Sequence, residues 1–470
     1  MQFMHGRIGI DDEAASLSLD QETMTLLRMY NPHWAGASPL GHLEQVFPRD
    51  TLDMLRSYAD DRQMVVLSGP RRAGKTVLLK QTMAELVAKG VDPRRMLYFS
   101  FDGLVATDHM AISKIVGYFK DNVLPSKPSK VDRAYLFLDE IQFVPYWPTM
   151  LKRFYETEPH MKMFVSGSSA LEVRRDSRES LAGRRFDFTV RPLSFREYLR
   201  FKGIEVPRLE WSELSGHLPG MLDMRVDEIR RHLSDYMLRG GYPETVGMAQ
   251  ASRVCEYLRH SVLEKVVYRD LPEVEGVRDP TAVMQLVQIA ASISSRAFEI
   301  GNVGSAIGVD RNRASAYVSM LERAGLVSVS YNLTRSKVKA ARTSKRLYMA
   351  DTGMMSCLLG YDSLLTGPEL GRLAETAAYN HLSRTGNAYF WRDARGNEVD
   401  IVLTERADVV PIEVKYQTNI TKADAKGLAR FCETHRNARP VMITRDQTGS
   451  LEVGGFSVRL VPMWRALLAV

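Results

Sequence analysis

The stretch MVVLSGPRRAGKTVLLKQ, residues 64–81, decides the fold of the chain around it. Its first part, Met64–Leu67, is an apolar run of the length typical of a fully buried parallel strand. The next part, from Gly69 to Thr76, matches the phosphate-binding pattern G-x-x-x-x-G-K-[ST]. Apolar residues then recur at helical spacing. Strand, glycine-rich loop and helix in this order predict a nucleotide site rather than a chance glycine-rich turn.

The residues of this loop are expected to bind ATP and Mg²⁺. Gly69 and Gly74 let the backbone turn its N–H groups toward phosphate oxygens, and the helix N-terminus adds a favourable partial positive charge. Lys75 is predicted to reach the outer phosphates, and the Thr76 hydroxyl is predicted to ligate Mg²⁺. The predicted nucleotide-binding residues are Gly69, Pro70, Arg71, Arg72, Ala73, Gly74, Lys75, Thr76 and Asp139.

Composition bounds the class of the protein. The chain has 470 residues, 45% hydrophobic and 25% charged, which is ordinary for a globular protein of about three domains. No apolar run reaches the roughly 20 residues of a membrane span, and the N-terminus lacks the apolar core of a secretory signal. Cys255, Cys357 and Cys432 show neither a pairing framework nor metal-ligand spacing, so we expect buried thiols in a reducing compartment, the cytoplasm. The net charge of +7 permits a polyanionic partner.

Residues 46–204 are predicted to form an α/β domain with a parallel sheet, because apolar runs alternate there with amphipathic stretches. Residues 1–45 precede it as an N-terminal arm with one short helix. The predicted strands of the sheet are Met64–Leu67, Met96–Phe101, Ala134–Leu138 and Met163–Ser166.

Polar residues follow the third and fourth of these strands. Asp139 is expected to hold Mg²⁺ directly or through water, and Glu140 to polarise the water that attacks the γ-phosphate. Ser168, with Ser169 close behind, is expected to sense the γ-phosphate by a hydrogen bond. A helix N-cap is an equally good interpretation of this serine.

The loop, together with LFLDEIQ, SGSSA, LAGRR and PLSFREYL, resembles the prokaryotic AAA-family P-loop ATPases that carry a C-terminal domain of formerly unknown function. The resemblance covers nearly the whole chain and implies an AAA+-like ATPase domain. In that family the arginine after LAG, here Arg184, is a candidate for the charge that reaches a neighbour's γ-phosphate. A surface salt bridge is the alternative. An arginine finger supplied in trans would imply a homo-oligomer, with a hexamer as one form.

Residues 205–275 are predicted to be a helical lid or linker, interrupted by a turn at Gly240 and Gly241. Residues 276–335 have the layout of a winged helix-turn-helix, with Arg311, Arg313, Ser315 and Tyr317 toward the start of the recognition helix. The loop RSKVKAARTSKR that follows carries six cations, including Lys345 and Arg346, and no acid. DNA contact is predicted, with domain packing as the alternative. The predicted DNA-binding residues are Arg311, Arg313, Arg335, Lys337, Lys339 and Arg342.

Residues 336–470 are predicted to form a further α/β domain. A helix presents Glu375, a hairpin strand presents Glu398 and Asp400 on one face, and the strand VVPIEVKY presents Glu413 and Lys415 on one face. This pattern looks like the restriction-endonuclease-like fold named for its PD-(D/E)XK motif, although Val399 stands where the motif has proline. Glu375, Asp400, Glu413 and Lys415 are therefore the candidate nuclease site, with carboxylates for divalent ions and a lysine for water. Retention of the domain for binding alone stays open.

Three functions fit these features. The first is an ATPase acting on DNA, coupling turnover to DNA binding or to remodelling of duplex or branched DNA, with Glu140, Arg184 and Ser168 as catalytic residues. The second is a nucleotide-gated, metal-dependent DNA nuclease. The third is a nucleotide-dependent signalling switch whose C-terminal half recognises a protein. No membrane partner is expected.

Overall fold

The computed structural model describes residues 19–43, 46–102, 109–167, 181–211, 214, 224–334, 345–361, 366–405 and 408–469. By packing, the chain divides into two compact units. The first is Met1–Gly69 with Gly74–Val190, and the second is Pro70–Ala73 with Arg191–Val470.

The first unit is built on a five-stranded parallel sheet in the order β2–β3–β4–β1–β5. The strands are β1 (Met64–Ser68), β2 (Met96–Ser100), β3 (Ala134–Asp139), β4 (Met161–Gly167) and β5 (Arg185–Thr189). The four predicted strands are confirmed. β5 was not predicted, because an edge strand that is only partly buried lacks the continuous apolar run of the other four.

Helices of the first unit cover this sheet. They are α1 (Gln21–Tyr30), α2 (Asp50–Ser57), α3 (Lys75–Ala88), α4 (Ala111–Asn122) and α5 (Trp147–Thr157). Asp20 caps α1 by accepting from the Thr23 backbone N–H. Soon after α1, the Trp34 indole N–H donates to the carbonyl of Met96 at 2.7 Å. The segment that the sequence suggested as an arm therefore packs on β2 of the first unit.

The second unit begins with helices. They are α6 (Phe195–Phe201), α7 (Val226–Arg239), α8 (Ala251–Tyr257), α9 (Leu271–Glu275) and α10 (Pro280–Ser292), with π-helical turns at Leu258–Leu263 and Val266–Asp270. The turn after α7 is specified by Gly240, whose φ is 77°. A Cβ at Gly240 would lie 2.2 Å from Asp351 Oδ1, and Asp351 Oδ2 accepts from the Gly241 backbone N–H at 2.8 Å. The helix therefore ends at the turn predicted from the sequence.

A three-stranded antiparallel sheet follows, in the order β6–β8–β7. Its strands are β6 (Ala297–Phe298), β7 (Val327–Tyr331) and β8 (Lys345–Met349), with α11 (Ile300–Ala306) and α12 (Arg311–Arg323) between β6 and β7. α13 (Thr352–Leu359) and α14 (Gly367–Leu382) come next. Tyr317, toward the start of the predicted recognition helix α12, is buried and packs in a core with α10 and β7.

The C-terminal part of the second unit contains a six-stranded mixed sheet in the order β13–β14–β12–β11–β10–β9. Its strands are β9 (Asn387–Arg392), β10 (Glu398–Glu405), β11 (Asp408–Lys415), β12 (Val441–Thr444), β13 (Gly449–Val453) and β14 (Phe456–Pro462). The helices are α15 (Lys426–Thr434) and α16 (Met463–Leu468). The predicted hairpin is the antiparallel pair β9–β10, and β11 pairs with β10 on its other side.

The cysteines differ from the sequence-based expectation. Cys255 and Cys357, which are 102 residues apart, form a disulfide within the second unit, so the expectation of no pairing is wrong for these two. Cys432 is a free, buried thiol, as expected. Their spacing could not show the pair, because the disulfide depends on α8 and α13 approaching each other in the folded unit.

Within the described ranges, no helix is both long enough and apolar enough to cross a bilayer.

Candidate nucleotide site and the carboxylate cluster

The phosphate-binding loop begins and ends at glycines that the geometry requires. Gly69 has a φ of 152°, and a Cβ there would lie 2.0 Å from the carbonyl oxygen of Val190. Gly74 has a φ of 98° and caps the N-terminus of α3, which begins at Lys75. Side chains would be strained or would clash at both positions. The backbone therefore leaves β1 and enters α3 by a path that glycine makes accessible.

Lys75 is held at the start of α3 with 4% of its side chain exposed. Its ammonium group donates to the carbonyl of Gly69 at 3.1 Å and lies 3.7 Å from a carboxylate oxygen of Glu140. The ammonium group of Lys75 therefore lies between the first residue of the loop and Glu140.

Asp139 at the end of β3 is the centre of the polar network in the first unit. It accepts hydrogen bonds from three hydroxyl groups: Thr76 at 2.6 Å, Tyr98 at 2.9 Å, and Ser166. Burial, together with the nearby charge of Glu140, raises the pKa of Asp139. A buried carboxylate beside a loop hydroxyl suits Mg²⁺, since this ion takes oxygen ligands and stabilises the charged carboxylate.

Glu140 follows directly and is held in an uncommon backbone conformation. Its φ is 54°, in the left-handed region that few residues other than glycine adopt. Its side chain accepts from the Gln142 amide at 2.6 Å, and its backbone N–H donates to the Ser166 hydroxyl at 3.3 Å. Such conformations are concentrated at functional sites, and here it turns Glu140 toward Lys75.

Ser166 is the polar residue of β4 that this network uses, and the sequence reasoning missed it. Ser168, which was expected to sense the γ-phosphate, and Ser169 lie outside the described residues. The signal for Ser166 was present, because β4 was predicted next to the aspartate strand and Ser166 is the last residue of that predicted run.

Arg184 lies just before β5 and forms a surface ion pair. One of its guanidinium nitrogens is 2.9 Å from a carboxylate oxygen of Glu156, and its guanidinium carbon is 6.0 Å from the centre of the Tyr155 ring. Its side chain is 29% exposed. This is the arrangement of the salt-bridge alternative, and its role as an arginine finger stays a prediction.

The tip of the loop, Pro70–Ala73, belongs to the second unit. Pro70 and Ala73 are buried. The guanidinium of Arg71 lies 3.3 Å from Asp270, and that of Arg72 lies 3.7 Å from Glu244.

The four residues of the predicted nuclease site come together in the second unit, with an additional arginine among them. Arg346 on β8 lies 3.1 Å from Glu375 on α14 and 3.0 Å from Asp400 on β10. Its other terminal nitrogen lies 3.0 Å from Glu398. The sequence reasoning counted Arg346 among the cations of an exposed basic loop, which is wrong, because 6% of its side chain is exposed. We refer to Arg346, Glu375, Asp400, Glu413, Glu398 and Lys415 as the carboxylate cluster.

Burial and mutual repulsion dominate the electrostatics of this cluster. Burial and the charge of Asp400 raise the pKa of Glu375 to about 8 and that of Glu413 to about 8. Burial opposes the charge of Lys415, but Glu413, 2.8 Å away, and Asp400 raise its pKa to about 12. Burial likewise opposes the charge of Arg346, yet its carboxylate neighbours raise its pKa above the ordinary value.

A cavity of about 820 Å³ adjoins the cluster and is lined in part by Glu375, Asp400, Lys415 and Arg445. Among the residues that the structure describes, no group of three or more histidine, cysteine or acidic side chains is arranged to hold a metal ion. The predicted nuclease residues are thus neighbours, with the side chains of Arg346 and Lys415 in contact with their carboxylates.

Two predicted DNA-binding residues are in the described part of the chain. Arg311 and Arg313, in the first turn of α12, are exposed. Asp310 caps this helix by accepting from the backbone N–H groups of Asn312 and Arg313, and these hydrogen bonds hold the pKa of Asp310 below its ordinary value. Arg335, Lys337, Lys339 and Arg342 lie outside the described residues.

Three stretches of the chain match known sequence families. Residues 61–199 match an AAA domain. Residues 230–365 and 370–465 match two domains of unknown function, DUF8612 and DUF4143. The first match contains the loop and both carboxylates of the nucleotide site, and it supports a P-loop ATPase fold for this part of the chain.

Two relatives carry the description uncharacterized protein. One from Haemophilus influenzae is 21% identical over 418 residues, covering 88% of this chain and 96% of the relative. Another, from Methanocaldococcus jannaschii, is 24% identical over 388 residues, 79% of each. The solved structure of Cdc6p from Pyrobaculum aerophilum is 12% identical and covers 69% of this chain and 95% of that one, with a TM-score of 0.26. At that TM-score the likeness carries no argument about this chain.

Proposed function

We propose that this chain is a magnesium-dependent, AAA+-type ATPase that couples ATP turnover to the binding or remodelling of DNA. The observation that carries the ATPase part is the network around Asp139. The Thr76 hydroxyl lies 2.6 Å from Asp139, and Lys75 lies 3.7 Å from Glu140. A loop lysine, a loop hydroxyl and paired carboxylates at a strand end are the groups that nucleotide hydrolysis needs.

Each residue has a separate task in this mechanism. Lys75 exchanges the carbonyl of Gly69 for phosphate oxygens of ATP. Thr76 and Asp139 would hold Mg²⁺, which supplies positive charge against the phosphates. Glu140 takes a proton from the attacking water, and its hydrogen bond with Gln142 orients the carboxylate for that role. Ser166 bonds to both the Asp139 carboxylate and the Glu140 backbone N–H, so it fixes the Asp139 carboxylate relative to the backbone of Glu140.

DNA is the partner that charge favours. The net charge is +7, and Arg311 and Arg313 are exposed at the start of α12. Two helices joined by a short turn and followed by an antiparallel sheet are typical of a winged helix, in which the second helix enters the major groove. The basic segment 335–342 adds charge that would contact phosphates.

The rate of ATP hydrolysis on different DNA structures tests this coupling. Turnover would be measured with linear, nicked, forked and four-way DNA, and with no DNA. We expect DNA to raise the rate, and the structure giving the largest rise identifies the preferred substrate. A rate that no DNA changes would favour the signalling switch over the DNA-acting ATPase.

Assembly as a homo-oligomer, with a hexamer as one form, is part of the proposal. An arginine finger supplied by a neighbour would offset charge in the transition state, so activity per chain should rise with protein concentration. Arg184→Ala should then abolish turnover while ATP binding survives.

Glu156→Ala is the matched control for the role of Arg184. It removes the surface partner of Arg184 and keeps the arginine. If Arg184 serves only in that ion pair, both substitutions will have the same small effect, as expected for an exposed pair. Equal effects, or a concentration-independent rate, would contradict the arginine finger.

A further inference from the structure

The feature that the ATPase proposal does not use is the buried arginine of the carboxylate cluster. One guanidinium nitrogen of Arg346 contacts Glu375 Oε1 at 3.1 Å and Asp400 Oδ1 at 3.0 Å. Another contacts Glu398 Oε2 at 3.0 Å. A single cation thus lies between carboxylates from α14 and β10.

Other contacts occupy the second oxygen of Asp400 and one oxygen of Glu413. Asp400 Oδ2 accepts from the Val414 backbone N–H at 3.0 Å, and Glu375 Oε1 also accepts from the Tyr348 hydroxyl at 3.0 Å. Glu413 Oε1 lies 2.8 Å from Lys415. Glu413 Oε2 is buried and has no hydrogen-bond partner in the described part of the chain. A divalent ion needs several such oxygens at once, and here both oxygens of Asp400 and one oxygen each of Glu375 and Glu413 face nitrogen donors.

The arginine is fixed in this position by its strand. Arg346 pairs with Ala297 of β6 on one side and with Ser330 of β7 on the other. Two residues later, Tyr348 stacks on Tyr379 of α14, with ring centres 3.9 Å apart. The guanidinium carbon of Arg346 also lies 5.2 Å from the centre of the Phe390 ring. The guanidinium therefore belongs to the packed interior.

We propose that the guanidinium of Arg346 is the resident cation of the carboxylate cluster and excludes a divalent metal ion from it. The same geometry predicts that replacing Arg346 by a neutral side chain turns Glu375, Asp400 and Glu413 into a divalent-cation site. This proposal goes beyond the ATPase function and does not depend on it. It also argues against metal-dependent cleavage by the C-terminal sheet.

Manganese binding to the nucleotide-free, full-length chain tests the proposal. Free Mn²⁺ would be followed by electron paramagnetic resonance at pH 7.5 during titration of the wild type, Asp400→Asn, Arg346→Gln and the double variant. We expect wild type and Asp400→Asn to bind the same number of ions. Arg346→Gln should bind one more ion per chain, and the double variant should lose it.

Glu398→Gln is the matched control. It removes a carboxylate that contacts Arg346, but 44% of that side chain is exposed and the arginine stays. Glu398→Gln should therefore bind the same number of Mn²⁺ ions as the wild type. Thermal melts with and without Mn²⁺ add a second readout, because a bound ion stabilises only the chain that binds it. Mn²⁺ should raise the Tm of Arg346→Gln more than that of the double variant.

Two results would overturn the proposal. One is a Mn²⁺ ion bound by the wild type and lost in Asp400→Asn, and this comparison does not require any Arg346 variant to fold. The other is a folded Arg346→Gln chain that takes up no additional ion. Should Arg346→Gln fail to fold, Arg346→Lys keeps a positive charge and should bind no more Mn²⁺ than the wild type. An additional Mn²⁺ ion bound by Arg346→Lys would also contradict the proposal that a cation at position 346 excludes the metal.

Discussion

The stability of the second unit should depend on pH through the carboxylate cluster. The pKa of Glu375 rises from its ordinary 4.5 to about 8 in the folded chain. Between these two values the folded state holds a proton that the unfolded state releases. Stability from this group is therefore fully present below about pH 4.5 and is lost as the pH rises toward 8.

The size of the effect follows from the shift. Each pKa unit corresponds to about 1.4 kcal/mol of unfolding free energy. A shift from 4.5 to about 8 therefore limits the contribution of Glu375 to the free energy of unfolding to about 5 kcal/mol. The pKa of Glu413 is also raised to about 8, so it keeps part of the dependence when Glu375 is replaced. In the wild type the free energy of unfolding should fall between pH 5 and pH 8 as the cluster loses its protons. We expect this fall to be about half as large in Glu375→Gln.

Urea unfolding followed by circular dichroism at pH 5, 6, 7 and 8 measures this dependence. Tyr348→Phe is the matched control, because it removes a hydrogen bond to Glu375 and leaves the carboxyl group in place. It should lower the free energy of unfolding by about 1 kcal/mol and keep the pH slope. A Glu375→Gln chain with the same slope as wild type would refute the reasoning.

Three further results are expected. Lys75→Ala should abolish ATP binding, measured by calorimetry, because the lysine contacts phosphate in the ground state. An unchanged affinity for ATP would show that the loop does not bind the nucleotide. Reduction of the Cys255–Cys357 disulfide should lower the free energy of unfolding by up to about 4.7 kcal/mol in the chain-entropy view, and a Tm indifferent to reductant would contradict the pairing. Replacing Arg311 and Arg313 by serine should reduce the slope of log affinity against log salt by about 2 on duplex DNA, and an unchanged slope would exclude them as phosphate contacts.

The sequence was sufficient to predict the strands and the loop of the candidate nucleotide site, because the information there is local. The loop from Gly69 to Thr76 and the Asp139–Glu140 pair are continuous motifs at the ends of apolar strands, and the parallel sheet brings those ends together. β5 and Ser166 were missed for a related reason. The roles of β5 and Ser166 depend on which strands are neighbours in the sheet. Neither the partly polar sequence of β5 nor a single serine in β4 specifies those neighbours.

The carboxylate cluster shows where local patterns fail. Arg346 stands in a run of cations, and charge pattern alone predicts an exposed side chain there. Its partners Glu375 and Asp400 are 29 and 54 residues further along, and only tertiary packing brings them within hydrogen-bond distance. Strand periodicity predicted that Glu413 and Lys415 share one face of a strand, and the resemblance to a nuclease-like fold implied that Glu375 and Asp400 lie beside them. That periodicity does not show whether the cation among them is a metal ion or an arginine.

The most direct test of the proposed ATPase is the single-turnover hydrolysis rate of Glu140→Gln, with ATP binding measured on the same sample. Glutamine keeps the shape of the side chain and can still bond with Gln142, but it cannot accept the proton of the attacking water. We predict wild-type ATP affinity and a rate lower by about 10²–10⁴, the contribution of a positioned general base. Hydrolysis by Glu140→Gln at the wild-type rate would contradict the assignment of Glu140 and, with it, the proposed mechanism.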